Sequence, residues 1–164
     1  MKKITICLVL LLALGGSAYA QTAPADTAVT AAAEGTYPPG SSYNGVPLSG
    51  LELAAGSAIF GDGTGGDGAV GIRLIGLATP LTPAQIINID ARISGGSRTA
   101  ANAATITGTC NIDMGNGLPP VTGIPFVAAI TTNSNNLGAV TLVLGTTSLP
   151  AASMGNGSMA VVDE

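Results

Sequence analysis

The chain has 164 residues, five basic against nine acidic, no histidine and no tryptophan. Its only lysines are Lys2 and Lys3, so beyond them the basic side chains are Arg73, Arg92 and Arg98 and the net charge is −6. Three scattered arginines cannot neutralise a row of phosphates, which excludes nucleic acid as a partner and disfavours an anionic membrane surface.

Lys2 and Lys3 precede an apolar run from Ile4 to Leu14, and Ala18-Tyr19-Ala20 satisfies the small-x-small rule for cleavage before Gln21. Residues 1–20 are therefore expected to be a bacterial secretory signal. The competing reading, an uncleaved anchor, needs a run of roughly 20 apolar residues. Cys7 leaves with the signal, so Cys110 is a lone thiol with no disulfide partner and no set of zinc ligands. The ending Asp163-Glu164 suggests neither a sorting anchor nor an outer-membrane barrel. The expected location is secreted: periplasm, cell surface or medium, with no membrane insertion after cleavage.

Residues 21–50 are rich in Ala, Thr, Pro, Gly and Ser and read as a flexible leader. Thr27 to Glu34 has the makings of a brief helix that Gly35 and Pro38-Pro39-Gly40 would stop. The alternative for this leader is a segment that pairs with the sheet edge of another chain.

From Leu51 the pattern is β. Short β-branched runs alternate with Gly, Pro and Asn. Candidate strands are Leu51–Phe60, Ala69–Ala78, Ile86–Ile93, Thr105–Met114, Ile124–Thr132, Gly138–Gly145 and Ser158–Asp163. Thr105–Met114 is the clearest, with Ile106, Gly108, Cys110, Ile112 and Met114 on one face and Thr105, Thr107, Thr109, Asn111 and Asp113 on the other. Such alternation marks a strand with one buried and one wet face. Asn116-Gly117 and Asn156-Gly157 read as tight turns, and Asn133–Asn136 as a hairpin loop. Domain 51–164 is thus expected to be all-β, a single antiparallel β-sandwich of about seven strands.

The stretch Phe126-Val-Ala-Ala-Ile-Thr-Thr-Asn-Ser-Asn-Asn-Leu-Gly-Ala-Val-Thr-Leu-Val-Leu-Gly145 resembles the late hairpin of bacterial immunoglobulin-like modules of invasin-type adhesins. Ile87–Ile93 is similar to one of their earlier core strands, so the resemblance extends over about residues 85–145. The loop Asn133–Leu137 departs from their acidic-Gly loop. The resemblance implies an immunoglobulin-like sandwich without catalytic residues.

Catalysis is poorly provided for. No histidine is present for a triad, and no lysine follows residue 3 for a Ser-Lys dyad. Cys110 falls on an apolar face, where the thiolate is disfavoured. Asp90 and Asp113 lie on polar faces and meet if their strands are neighbours, with Glu52 a further carboxylate. A glycosidase also wants aromatic platforms, which are scarce here. Gly61-Asp62-Gly63-Thr64-Gly65-Gly66-Asp67-Gly68 has a composition suited to a hard cation, with Asp62 and Asp67 as candidate Ca²⁺ ligands. The plain alternative is a mobile Gly-rich turn.

The expected function is a non-enzymatic structural or adhesive protein of the cell surface or extracellular space. Its partners would be other protein chains or surface glycans, with homo-oligomers assembled by strand addition. The rival is a secreted calcium- or carbohydrate-binding module using Gly61–Gly68.

Overall fold

The computed structural model describes residues 26–81 and 83–164, so the signal reading of residues 1–20 lies outside the described residues. Ten strands follow in chain order, with no helix among the described residues: β1 (Thr27–Thr36), β2 (Ser42–Tyr43), β3 (Val46–Ile59), β4 (Gly66–Gly76), β5 (Ile86–Ala100), β6 (Ala103–Asp113), β7 (Val121–Thr132), β8 (Gly138–Leu144), β9 (Thr147–Ser148) and β10 (Ala152–Asp163). Each candidate strand from Leu51 onward coincides with one of these, and the all-β expectation holds.

The architecture departs from the expected sandwich. Neighbours run β1-β10-β8-β7-β6-β5-β4-β3, and β3 pairs back onto β1, all antiparallel. Eight strands close into a barrel, and β2 and β9 are two-residue additions on β3 and β8. An immunoglobulin-like sandwich is thereby overturned. Alternating wet and dry residues describe the wall of a barrel as well as the layer of a sandwich, and what separates the two is an eighth strand. That strand is β1, inside the expected leader. Ala31 pairs with Ala55 on one side and Met159 on the other, so residues 27–36 belong to the wall. The leader reading fails because alanine carries no strand signature. The Ala side chains nonetheless suit a crowded interior.

An eight-stranded barrel is just wide enough for side chains to fill. Leu51, Ile72, Ile89, Ile106, Phe126, Leu142 and Met159 are buried inside, and Ala31, Ala33, Ala91, Ala104 and Ala128 make room between them. Small beside large is how a narrow barrel avoids both voids and overpacking. Polar and small residues face outward, including Thr30, Arg73, Asp90, Arg92, Thr109 and Asn111. Outer-membrane barrels show the opposite alternation, apolar outward and polar inward. Closure removes most free strand edges. The exception is β10, which pairs with β8 only from Ala152 to Met154, so that residues 156–163 have a ladder partner in β1 alone.

Residues 37–45 fold across one mouth of the barrel. Asn44 (φ 46°) and Gly45 (φ 81°) make the tight turn that pairs Tyr43 with Val46. The ionisations of Tyr43 and Cys110 are both pushed up, chiefly by burial. Tyr37 is buried with no hydrogen-bond partner for its hydroxyl, and burial drives its ionisation well above the ordinary 10.0. Below that value the raised ionisation leaves stability intact. As pH climbs past it, the unfolded phenol ionises and the folded one cannot, so stability is lost. Tyr37→Phe is expected to be neutral or stabilising by up to about 1 kcal/mol at pH 7, because an unpaired buried hydroxyl contributes nothing favourable. The same variant should lose less melting temperature than wild type between pH 9 and 11, followed by circular dichroism.

Candidate functional site

The registers align the outward residues of neighbouring strands into rows across the wall. One row reads Asn156, Glu34, Glu52, Arg73, Asn88, Asp113, from β10 through β1, β3, β4 and β5 to β6. The next reads Ser158, Ala32, Ala54, Gly71, Asp90, Asn111. Small residues in the second row beside long ones in the first leave a groove of about 620 Å³. Its floor is Ala32, Ala54 and Gly71. Glu34, Glu52, Arg73, Asn88, Asp90 and Asn156 stand around it.

Within the groove, Arg73 Nη1 donates to Glu52 Oε2 at 2.5 Å. Both side chains are substantially exposed, so the pair contributes little stability, about 0–1 kcal/mol, and serves to hold the guanidinium in place. Glu34 lies beside Glu52 across the β1–β3 ladder, and Asp90 stands on the far side. One cation among three carboxylates leaves the groove acidic. This charge favours a neutral or basic partner over an anionic one.

Asp90 and Asp113 are brought together as the sequence pattern allowed. Asn88 pairs with Asp113 and Asp90 with Asn111, which makes the two carboxylates diagonal neighbours on adjacent strands. They share a second hollow of about 500 Å³ with Asn88, Asn111, Pro120 and Thr122. Asp113 Oδ1 accepts from Gly115 N at 2.8 Å. No aromatic side chain lines this hollow or the groove.

The Gly61–Gly68 segment is shorter as a loop than its composition suggests, because Gly66 onward belongs to β4. Asp62 Oδ1 accepts from Thr64 N at 2.9 Å and from Thr64 Oγ1 at 2.7 Å, and these bonds lower its ionisation. Asp67 Oδ1 accepts from Gly68 N at 2.8 Å. Each carboxylate is engaged with its own backbone neighbourhood, and no group of three or more acidic or thiol ligands occurs among the described residues. Cys110 is buried in the barrel interior, away from both outer-wall hollows.

Glu34, Arg73, Asn88 and Asn156 escaped the sequence reading as site residues. Each is an ordinary outward residue of its own strand, and only the pairing registers bring them into one row. Family models, characterised proteins and solved structures offer no match to this chain.

Proposed function

We propose that the protein is an exported, non-enzymatic barrel with a structural or adhesive role at the cell surface or outside the cell, and that it engages surface glycans through the groove on its outer wall. The observation that carries this reading is the groove itself, a hollow floored by Ala32, Ala54 and Gly71 and ringed by carboxylate, amide and guanidinium groups. Planar polar side chains pair well with vicinal hydroxyls, and a flat floor of methyl groups and bare backbone admits the C–H face of a sugar ring. The acidic balance selects neutral or amino sugars. The absence of histidine, the lack of any lysine beyond Lys3, and the filled interior are consistent with binding in place of turnover.

Gly71→Val tests the reading. A Cβ at Gly71 meets nothing within 4 Å, so the larger side chain fills the groove and leaves the core untouched. Valine also suits a strand better than glycine. On a glycan array followed by calorimetry, wild type should bind a neutral or amino sugar, and the variant should bind at least tenfold more weakly with an unchanged melting temperature. Failure of wild type to bind any glycan, or equal binding by the variant, would overturn the assignment.

A further inference from the structure

The two mouths of the barrel differ in chemistry. Antiparallel connections alternate between ends, so residues 37–45, 77–81 with 83–85, 114–120 and 145–151 gather at one end. Hydrogen bonds tie this crown together: Leu77 N to Pro47 O at 2.8 Å, and Gln85 Nε2 to Met114 O at 2.6 Å. None of the four connections contains an Asp, Glu, Lys or Arg. They carry Pro38, Pro39, Pro80, Pro83, Pro119, Pro120 and Pro150. Leu77, Leu81 and Leu118 project from them, 58%, 94% and 67% exposed. The opposite end holds Asp26, Asp62, Asp67, Asp163 and Glu164, with Arg98 paired to Asp163. Asp26 contacts Gly61 and Glu164 at this end.

We propose that the charge-free crown is a self-association surface, occupied by the crown of a second copy of this chain in an end-to-end, two-fold dimer. The charge distribution selects this occupant. Beyond Lys3 each molecule carries a net charge of −6, so two copies repel each other over most of their surfaces. Crown-to-crown contact brings neutral surfaces together and places the two acidic ends at the far extremes of the pair. A two-fold contact needs one patch that matches itself, and protruding leucines set among rigid proline turns meet that need. Glu34 and Asp113, on the wall below the loops, form a polar rim outside the apolar centre. The rest of the surface exposes few large apolar side chains, so three leucines concentrated at one end mark an interaction site.

Sedimentation velocity of the purified protein across a hundredfold concentration range tests this. A monomer–dimer equilibrium is expected, and it should tighten in 1 M NaCl, where a Debye length of about 3 Å screens the acidic bodies. Leu81→Ser together with Leu118→Ser should raise the dissociation constant at least tenfold. Both positions are exposed, so the melting temperature should hold within a few degrees. Gly71→Val should leave the dimer unchanged, which separates this surface from the groove. Any of three results would sink the proposal: a monomer at every concentration, a dimer indifferent to the double serine variant, or a dimer dissolved by salt. Leucine-dependent binding of a wild-type monomer to phosphatidylcholine vesicles would likewise replace the second copy with a lipid surface.

Discussion

Val29→Asp is expected to abolish the folded state, and Thr30→Asp, one residue along, to leave it intact. Val29 is fully buried and sits on two ladders at once, opposite Val161 of β10 and Ser57 of β3. A carboxylate placed there is a charge in an apolar interior with no partner, a penalty of several kcal/mol even after relaxation. Domains of this size have about 5–15 kcal/mol in total. Losing β1 would also open both of the edges that it closes, so the loss is cooperative. Thr30 points outward and is exposed, and an aspartate there meets water. Circular dichroism and urea denaturation of the two variants check the expectation. Were residues 27–36 a tether, both substitutions would be silent. Equal stability of the two variants would therefore restore the leader reading and remove the closed barrel.

The sequence made the walls legible and left their closure hidden. Thr105 to Met114 alternates so strictly that β6 could be placed to within two residues of its observed bounds, and Ile86–Ile93 likewise marks the first half of β5. β1 escaped because its inward residues are Val29, Ala31 and Ala33 and its outward ones include Ala32. Alanine beside alanine carries no period-two signal, and the composition matches that of a linker. The reason those alanines are needed appears only in three dimensions, where large side chains from facing strands occupy the middle of the barrel. The same limit applies to the groove. Asp90 and Asp113 are legible as outward acids from the alternation of their own strands. Glu34, Arg73 and Asn156 join them through registers that no local pattern encodes.

Three Asn-Gly pairs show the limit most directly. Local chemistry permits a positive φ at each, yet the fold uses them in three ways. Asn44-Gly45 is the tight hairpin turn, within the stretch whose composition reads as a leader. Asn116-Gly117 lies in a seven-residue connection, where Asn116 Oδ1 accepts from Leu118 N at 3.1 Å. Asn156-Gly157 is no turn at all. It lies inside β10, beside a bulge opposite Glu34 and Gly35. A dipeptide that tolerates left-handed backbone serves a turn or a bulge equally, and the pairing strands decide which.

Gly157→Val is the substitution that turns this distinction into a measurement. Gly157 pairs with Ala33 at φ 94°, a conformation that a β-branched residue adopts only under strain. A Cβ there would also run into the carbonyl oxygen of Ala32 and come within 2.6 Å of Ala33 Cα. Neither is the end of a flexible side chain, so the β1–β10 ladder itself must shift. Strain and displaced ladder together should cost about 3 kcal/mol or more. Gly155→Ala is the control: its Cβ meets nothing within 4 Å, and a change within about 0.5 kcal/mol is expected from urea denaturation. In a solvent-exposed turn the valine would cost the backbone strain alone and leave the ladder unmoved. A loss of about 1 kcal/mol would therefore place Asn156-Gly157 in a turn, and a loss three times as large places it in the wall. Asn156 and Gly157 also border the groove. A shifted β10 should thus weaken glycan binding in the fraction of Gly157→Val that still folds, a defect that Gly155→Ala should not share.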